Sequence, residues 1–289
     1  MPRKYLIITA DDFGLHQSIN EAVESAARYG VLTAASLMVA APAASDAVRR
    51  ANLLPNLHVG LHLVLADGKA MLDVKQIPSL VGVEGRIGDR MAYDGLRYFL
   101  LHSVRRQLEA EIRAQFEAFA RTGLRLDHVN VHKHFHLHPT ILAILLRVAK
   151  DFGRPPVRAT VEPLWFAFQE GAAPGLAGAA LRPWASLMRR KLRRAGVIHN
   201  DSLFGVAASG AMDERTMLQI LARLPQGVTE VYLHPATTSG GTIASSMQGY
   251  RHRDEWSALL SSRVRAAVDA SGAIQGGFLG CGSSSGAIS

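Results

Sequence analysis

Five of the chain's twelve histidines crowd into HVNVHKHFHLHP at 128–139, a density that suits metal ligation or acid–base chemistry. Read as a β-strand, alternation puts His128, Asn130, His132, His134 and His136 on one face, with Val129, Val131, Lys133, Phe135 and Leu137 behind them. A folded core holds one hydrogen-bonded histidine readily but gains little from several aimed the same way. The alternative is a solvated histidine tract. Two adjacent carboxylates, Asp11 and Asp12 in TADDFG, close an apolar run, where burial is costly unless a cation or hydrogen bonds compensate. Neighbours on a regular strand point in opposite directions, so one could hold a metal while the other faces a reacting water. Otherwise they start a turn and cap a helix, with Gly14 at the bend. His58 and His62 share a strand face, and His62, nearer the carboxyl end, is the better ligand candidate. His234 ends another apolar run and is a candidate proton donor, the alternative being a histidine packed in a turn before Pro235. Arg158 and Glu162 are either site residues or a surface ion pair. Trp165, Phe166 and Phe168 form either a lid on the core or a substrate contact.

These residues can meet only if several strand ends converge. Strands are expected at Tyr5–Ala10, Thr33–Ala40, Leu57–Val64, along the histidine run, at Val157–Val161 and Val228–Leu233, and briefly at Ala273–Leu279. Helices are expected between them: Asn20–Tyr29 before Gly30, Ala44–Asn52, Leu101–Arg121, Thr140–Phe152 behind Pro139, a helix capped by Asp213, and Arg253–Asp269. The repeated strand-to-helix order with acid or histidine at strand ends implies an α/β fold, a single (β/α) barrel with its site at the carboxyl ends of the strands. An open parallel sheet is the alternative. The domain is expected to span 1–279, with loop insertions near 65–100 and 162–210, and 280–289 as a disordered tail.

With 48% hydrophobic and 19% charged residues, the 289-residue chain has the composition of a well-filled core rather than of disorder. A formal charge of +8 favours acidic partners without choosing among them. The segment LRPWASLMRRKLRRA at 181–195 reads as a basic amphipathic helix, either solvated or lying on an anionic membrane. Nucleic acid is not expected, because the basic density carries no reading motif. One cysteine, Cys281, excludes an internal disulfide. The amino terminus lacks a signal-peptide hydrophobic region and no apolar run reaches membrane-span length, so the expected location is cytoplasmic, with a peripheral place at the inner face of the membrane left open. A homo-oligomer is left open. The phosphate-loop, dinucleotide-binding and zinc-protease motifs are absent from the sequence.

TADDFG at 9–14, GLHLVL at 60–65, HVNVHKHFH at 128–136 and YLHP at 232–235 together resemble the YdjC-like (ChbG/HpnK) family of carbohydrate deacetylases. The likeness covers nearly all the chain but its tail, and the pattern is most similar to the hopanoid-biosynthesis-associated branch, HpnK. The resemblance implies a distorted (β/α) barrel related to polysaccharide deacetylases. It also implies one divalent ion, zinc or magnesium, held by Asp12, His62 and His132, with Asp11 as base and His234 as acid. His134, His136, Arg158 and Trp165 are candidate substrate contacts. The substrate so implied is an N-acetylated sugar, in the first instance an N-acetylglucosaminyl hopanoid, losing acetate by amide hydrolysis. The cluster departs from the family form HVDSHHHVH, with Asn130 at its aspartate, Val131 at its serine and Lys133 at its second adjacent histidine. The competing functions are a metal-dependent phosphoesterase and a non-catalytic metal- or membrane-binding protein.

Overall fold

In the computed structural model, which describes residues 4–82, 84–167, 176–238 and 243–283, a curled parallel sheet carries the chain. Its strands are β1 (Lys4–Phe13), β2 (Ala34–Leu37), β3 (His58–Leu63), β6 (Val129–Val131), β7 (Ser202–Phe204), β8 (Gly227–Leu233) and β9 (Ile274–Gln275). A small antiparallel pair, β4 (Gly68–Lys69) and β5 (Arg86–Ile87), lies apart from it. The order is β6-β3-β2-β1-β8-β7, and β9 pairs with β1 at Tyr5 and Leu6, ahead of the point where β2 begins its pairing at Thr9. Helices cover the strands, so β1 is buried along nearly its whole length and reads as an unbroken apolar run.

An irregular seam partly closes the barrel. The expected strand Val157–Val161 makes only one isolated bridge, Val129 with Val157. Farther along, the Leu203 amide donates to the Val161 carbonyl, so the same segment reaches from β6 across to β7. Midway, the Asn200 side chain replaces a strand, accepting from Ala159 N at 2.7 Å and donating to Ala159 O at 2.8 Å. The preceding Pro155 and Pro156 lack amide donors, which limits pairing ahead of Val157. The fold is a distorted, partly closed (β/α) barrel, as expected.

Three further expectations change. The histidine run is a strand only over Val129–Val131. Lys133 (φ 55°) and His134 (φ 53°) then adopt left-handed conformations, and 132–137 winds as a tight helical turn before Pro139 starts the next helix. The 65–100 insertion is more than a loop: it holds β4, β5 and a helix, Met91–Leu100. Glu111 and Gln115, buried on the helix His102–Arg121, tie it down through the backbone of Met71, Leu72 and Val64. Lastly, the tail expectation fails for 280–283, because Phe278–Ser283 is a short helix that buries Phe278 and Cys281 against Tyr5 and Ile7 of β1. Residues 284–289, like Phe168, lie outside the described residues. Among the described residues no helix is long and apolar enough to cross a membrane.

Candidate active site

β1 ends on the two aspartates, and its geometry resolves how both reach one site. The pairing register with β2 shifts between Ala10 and Phe13, and Asp12 has φ 61°. This bulge turns Asp12 back, so that neighbouring carboxylates share a pocket instead of facing opposite sides of the sheet. Asp12 is fully buried, and neither of its carboxylate oxygens has a hydrogen-bond partner.

Around it, Asp12 Oδ1 lies 3.2 Å from His62 Nε2 and 3.2 Å from His132 Nδ1, and the two nitrogens are 3.2 Å apart. Three donor atoms at equal spacing match the edge of a coordination tetrahedron, which is about 3.3 Å for bonds of about 2.0 Å. An octahedral site with bonds of about 2.1 Å would have edges of about 3.0 Å. The residues present therefore fit one divalent ion, on a carboxylate that otherwise lacks partners.

Asn130 fixes the orientation of His62. Its amide nitrogen donates to Asp11 Oδ1 at 3.1 Å and to Ser36 Oγ at 2.8 Å, and ionised Asp11 can only accept. The amide oxygen is left for His62 Nδ1 at 2.6 Å, which must then carry the proton, so the Nε2 lone pair faces Asp12 and His132. Beyond Ser36 the chain of contacts continues to His128 Nε2 (3.0 Å) and from His128 Nδ1 to Asp127 (2.9 Å), all three residues being buried.

Asp11 rests on Arg158, which lies entirely inside the protein. Arg158 clamps Asp11 with Nη1 to Oδ2 at 2.5 Å and Nη2 to Oδ1 at 2.9 Å, and it also grips Glu230 through Nε at 2.9 Å and Nη2 at 2.6 Å. Burial opposes the charge on Asp11, yet the Arg158 guanidinium, with His62, holds its carboxyl well below the usual carboxylate range. Of the two readings of Arg158 and Glu162, the surface ion pair does not form. Glu162 instead accepts the amides of Gly205, Val206 and Ala207, which pins a loop whose Val206 lines the cleft.

His234, at the end of β8, faces the same cleft, with Nε2 4.0 Å from Asp12 Oδ2 and Nδ1 buried without a hydrogen bond. Burial lowers its pKa, against the pull of Asp12 and Asp11. His134 lines the cleft and bonds Tyr232 Oη at 2.9 Å; burial and then the charge of Arg158 keep it well below its ordinary pKa. His136 points into the core, with Nε2 3.0 Å from the Arg158 carbonyl oxygen, and burial pushes its pKa down to about 3. The left-handed turn brings Lys133 to the cleft rim, where it pairs with Asp67 at 2.7 Å, although strand alternation had placed it on the opposite face. Trp165 packs on Phe166 and Phe204 with Arg223 over its ring, away from the residues that line the cleft.

The sequence profile of the family described as YdjC-like protein matches residues 5–270, most of the chain. This chain belongs to the YdjC-like family. The YdjC-like chain is 41% identical over 153 residues to a carbohydrate deacetylase of Brevibacillus brevis, covering 53% of this chain and 58% of the relative. It is 26% identical to one of Thermoanaerobacter pseudethanolicus, covering 81% of each. A further carbohydrate deacetylase, from Geobacillus stearothermophilus, is 39% identical and is covered over 61% of its length, against 55% of this chain. The chain thus spans about 58–61% of the Brevibacillus and Geobacillus relatives. In fold, it is similar to a proposed cellobiose-phosphate cleavage protein of Enterococcus faecalis V583, with a TM-score of 0.75, 24% identity, and 96% and 98% of the two chains covered.

Some residues that shape the YdjC-like site escaped the sequence reading. Glu230 and Tyr232 alternate with His234 along β8, so period-two counting back from the histidine would have found them. Arg158 pairs with Glu230, and its guanidinium lies 4.7 Å from the Tyr232 ring centroid. Ser246, Met247 and Tyr250 also line the cleft, but they come from an irregular segment with no periodic signal.

Proposed function

We propose that this chain is a metal-dependent carbohydrate deacetylase that hydrolyses an N-acetyl group and releases acetate. The observation that carries the reading is the equal-sided Asp12–His62–His132 cluster opening on a cleft that also receives Asp11 and His234. The carbohydrate deacetylases among its relatives support it. A divalent ion on these three residues would polarise the acetyl carbonyl and acidify water, and two imidazoles with one carboxylate favour zinc over magnesium.

The protein's own groups do the rest. Asp11, kept ionised by Arg158, takes the proton of the attacking water. As the tetrahedral adduct collapses, His234 delivers a proton to the departing amine and is reprotonated by the one Asp11 took from water, which leaves both groups as they began. His134, held by Tyr232, is the substrate contact at the cleft wall, whereas His136, Arg158 and Trp165 act from behind it. The substrate proposed is an N-acetylglucosaminyl hopanoid or related N-acetylated sugar, on the strength of the sequence resemblance, with the basic 181–195 segment near anionic lipid.

The test is acetate release from N-acetylglucosaminyl hopanoid and soluble N-acetylated sugars by metal-loaded protein, beside a phosphoester panel. Phosphate release without acetate would overturn the reading. Asp11→Asn should keep its metal and lose about 100-fold or more in kcat. Unchanged acetate release would remove Asp11 as the base.

A further inference from the structure

We infer that the helix Met91–Leu100 is a membrane-docking element that seats the molecule on an anionic lipid surface. Its inner side is filled: Tyr98 is buried on Phe135, and Gly95 lies against His138. Its outer side is apolar and bare. Tyr93, Leu96, Phe99, Leu100 and the following Leu101 are each 47–60% exposed. At 100° per residue, Tyr93, Leu96, Phe99 and Leu100 fall within about one third of the helix circumference, so they form one continuous face. A soluble surface rarely gathers this many large apolar side chains on one helix without a use for them.

Charge selects the occupant. Arg90 and Arg97 both lie over the Tyr93 ring, at 4.9 and 5.5 Å from its centroid, and so mark one edge of the apolar face with positive charge. Asp94 within this helix is bonded to Arg97 and Asp89 precedes Arg90, so the positive excess on this side comes from a neighbouring basic helix. The helix Leu176–Arg194 packs, like Met91–Leu100, against Pro139–Ala149, and it leaves Trp184 and Leu187 exposed. From Arg182 to Arg194 it carries five arginines and Lys191 and no acid. Met188 and Leu192 of that helix are buried in the core, so half of its expected lipid face is already occupied. The 91–101 face, by contrast, has its apolar side free. Apolar side chains edged by arginine are what a helix lying in an anionic headgroup region needs.

The placement also relates this face to the cleft. Met91–Leu100 rests on the turn 132–138 that presents His132 and His134, so docking would hold that turn close to the lipid surface. The inference needs no turnover and stands apart from the substrate reading.

The experiment is co-sedimentation of the full chain with phosphatidylcholine vesicles, with and without phosphatidylglycerol, for the wild type and for Leu96→Asp/Phe99→Asp. Both changes fall on exposed positions, and circular dichroism with a thermal melt checks that the fold is kept. The wild type should bind the anionic vesicles in a salt-sensitive way, and the double variant should bind about tenfold or more weakly. Equal binding by the folded double variant, or no wild-type binding, would overturn the inference. So would a wild-type dimer that the double variant converts to monomer without any vesicle binding, which would assign the face to a second copy. Acetate assays on soluble sugar are read separately, so loss of the deacetylase reading leaves this result intact.

Discussion

Asn130 illustrates how one neutral side chain can set several others. An amide can donate to Asp11 while accepting from His62, a combination that an ionised carboxylate at the same place could not provide. Asn130→Ala should therefore release the His62 ring, and metal affinity should fall by about 10–100-fold as measured by competition with a chromogenic chelator. Unaltered affinity would show that packing alone orients His62. Arg158 has the complementary task. With its donors spent on Asp11 and Glu230 and no exposed surface, it holds the proposed base in place rather than meeting a ligand.

Among the elements, the seam between β6 and β7 is where the barrel is least regular and where side chains substitute for a ladder. Asn200→Ala would leave the amide of buried Ala159 without a partner and its carbonyl with the Val161 amide alone, at a cost of about 2 kcal/mol. Urea unfolding would read that loss, and a change within error would mean that water repairs the seam. The helix His252–Leu260 offers a pH test. Burial lifts the Glu255 pKa to about 7 from 4.5, against the amides of Met212 and His234. The folded state then holds a proton that the unfolded chain has released, so this group's contribution falls as pH rises from about 4.5 to about 7. Glu255→Gln carries no such cost. Its stability relative to wild type should rise by about 3 kcal/mol across that window, and a pH-independent difference would contradict the shift.

For the whole molecule, the Asp12 cluster is a buried charge set whose carboxylate lacks hydrogen-bond partners, so an ion bound there should stabilise the native state by mass action. At about 100 times its dissociation constant the ion adds about 2.7 kcal/mol, which for a chain of this size raises Tm by roughly 4–5 °C. Chelator treatment should remove that increment and zinc should restore it, followed by differential scanning calorimetry. A Tm indifferent to both would argue against a resident ion. The cleft and the apolar face of Met91–Leu100 meet at the turn 132–138, so catalysis and membrane contact would be mechanically close while remaining separable by mutation.

The linear chain carried the motifs that place it in its family, the strand-to-helix alternation behind the barrel, and the helix His102–Arg121, whose buried Val104, Leu108, Ile112, Phe116 and Phe119 follow the 3.6-residue period. Those features are local: periodicity and short motifs survive without knowledge of distant contacts. Tertiary structure decided which polar groups meet. The histidine run could not reveal its own left-handed turn, because Lys133 and His134 adopt φ values that strand alternation does not anticipate and that the surrounding packing imposes. Nor could it show that Arg158 lies 147 positions from Asp11 yet beneath it. The helix Met91–Leu100 was missed for the converse reason. Its large apolar residues face outward and Gly95 interrupts it, so a pattern search that assumes apolar means inward finds only a loop.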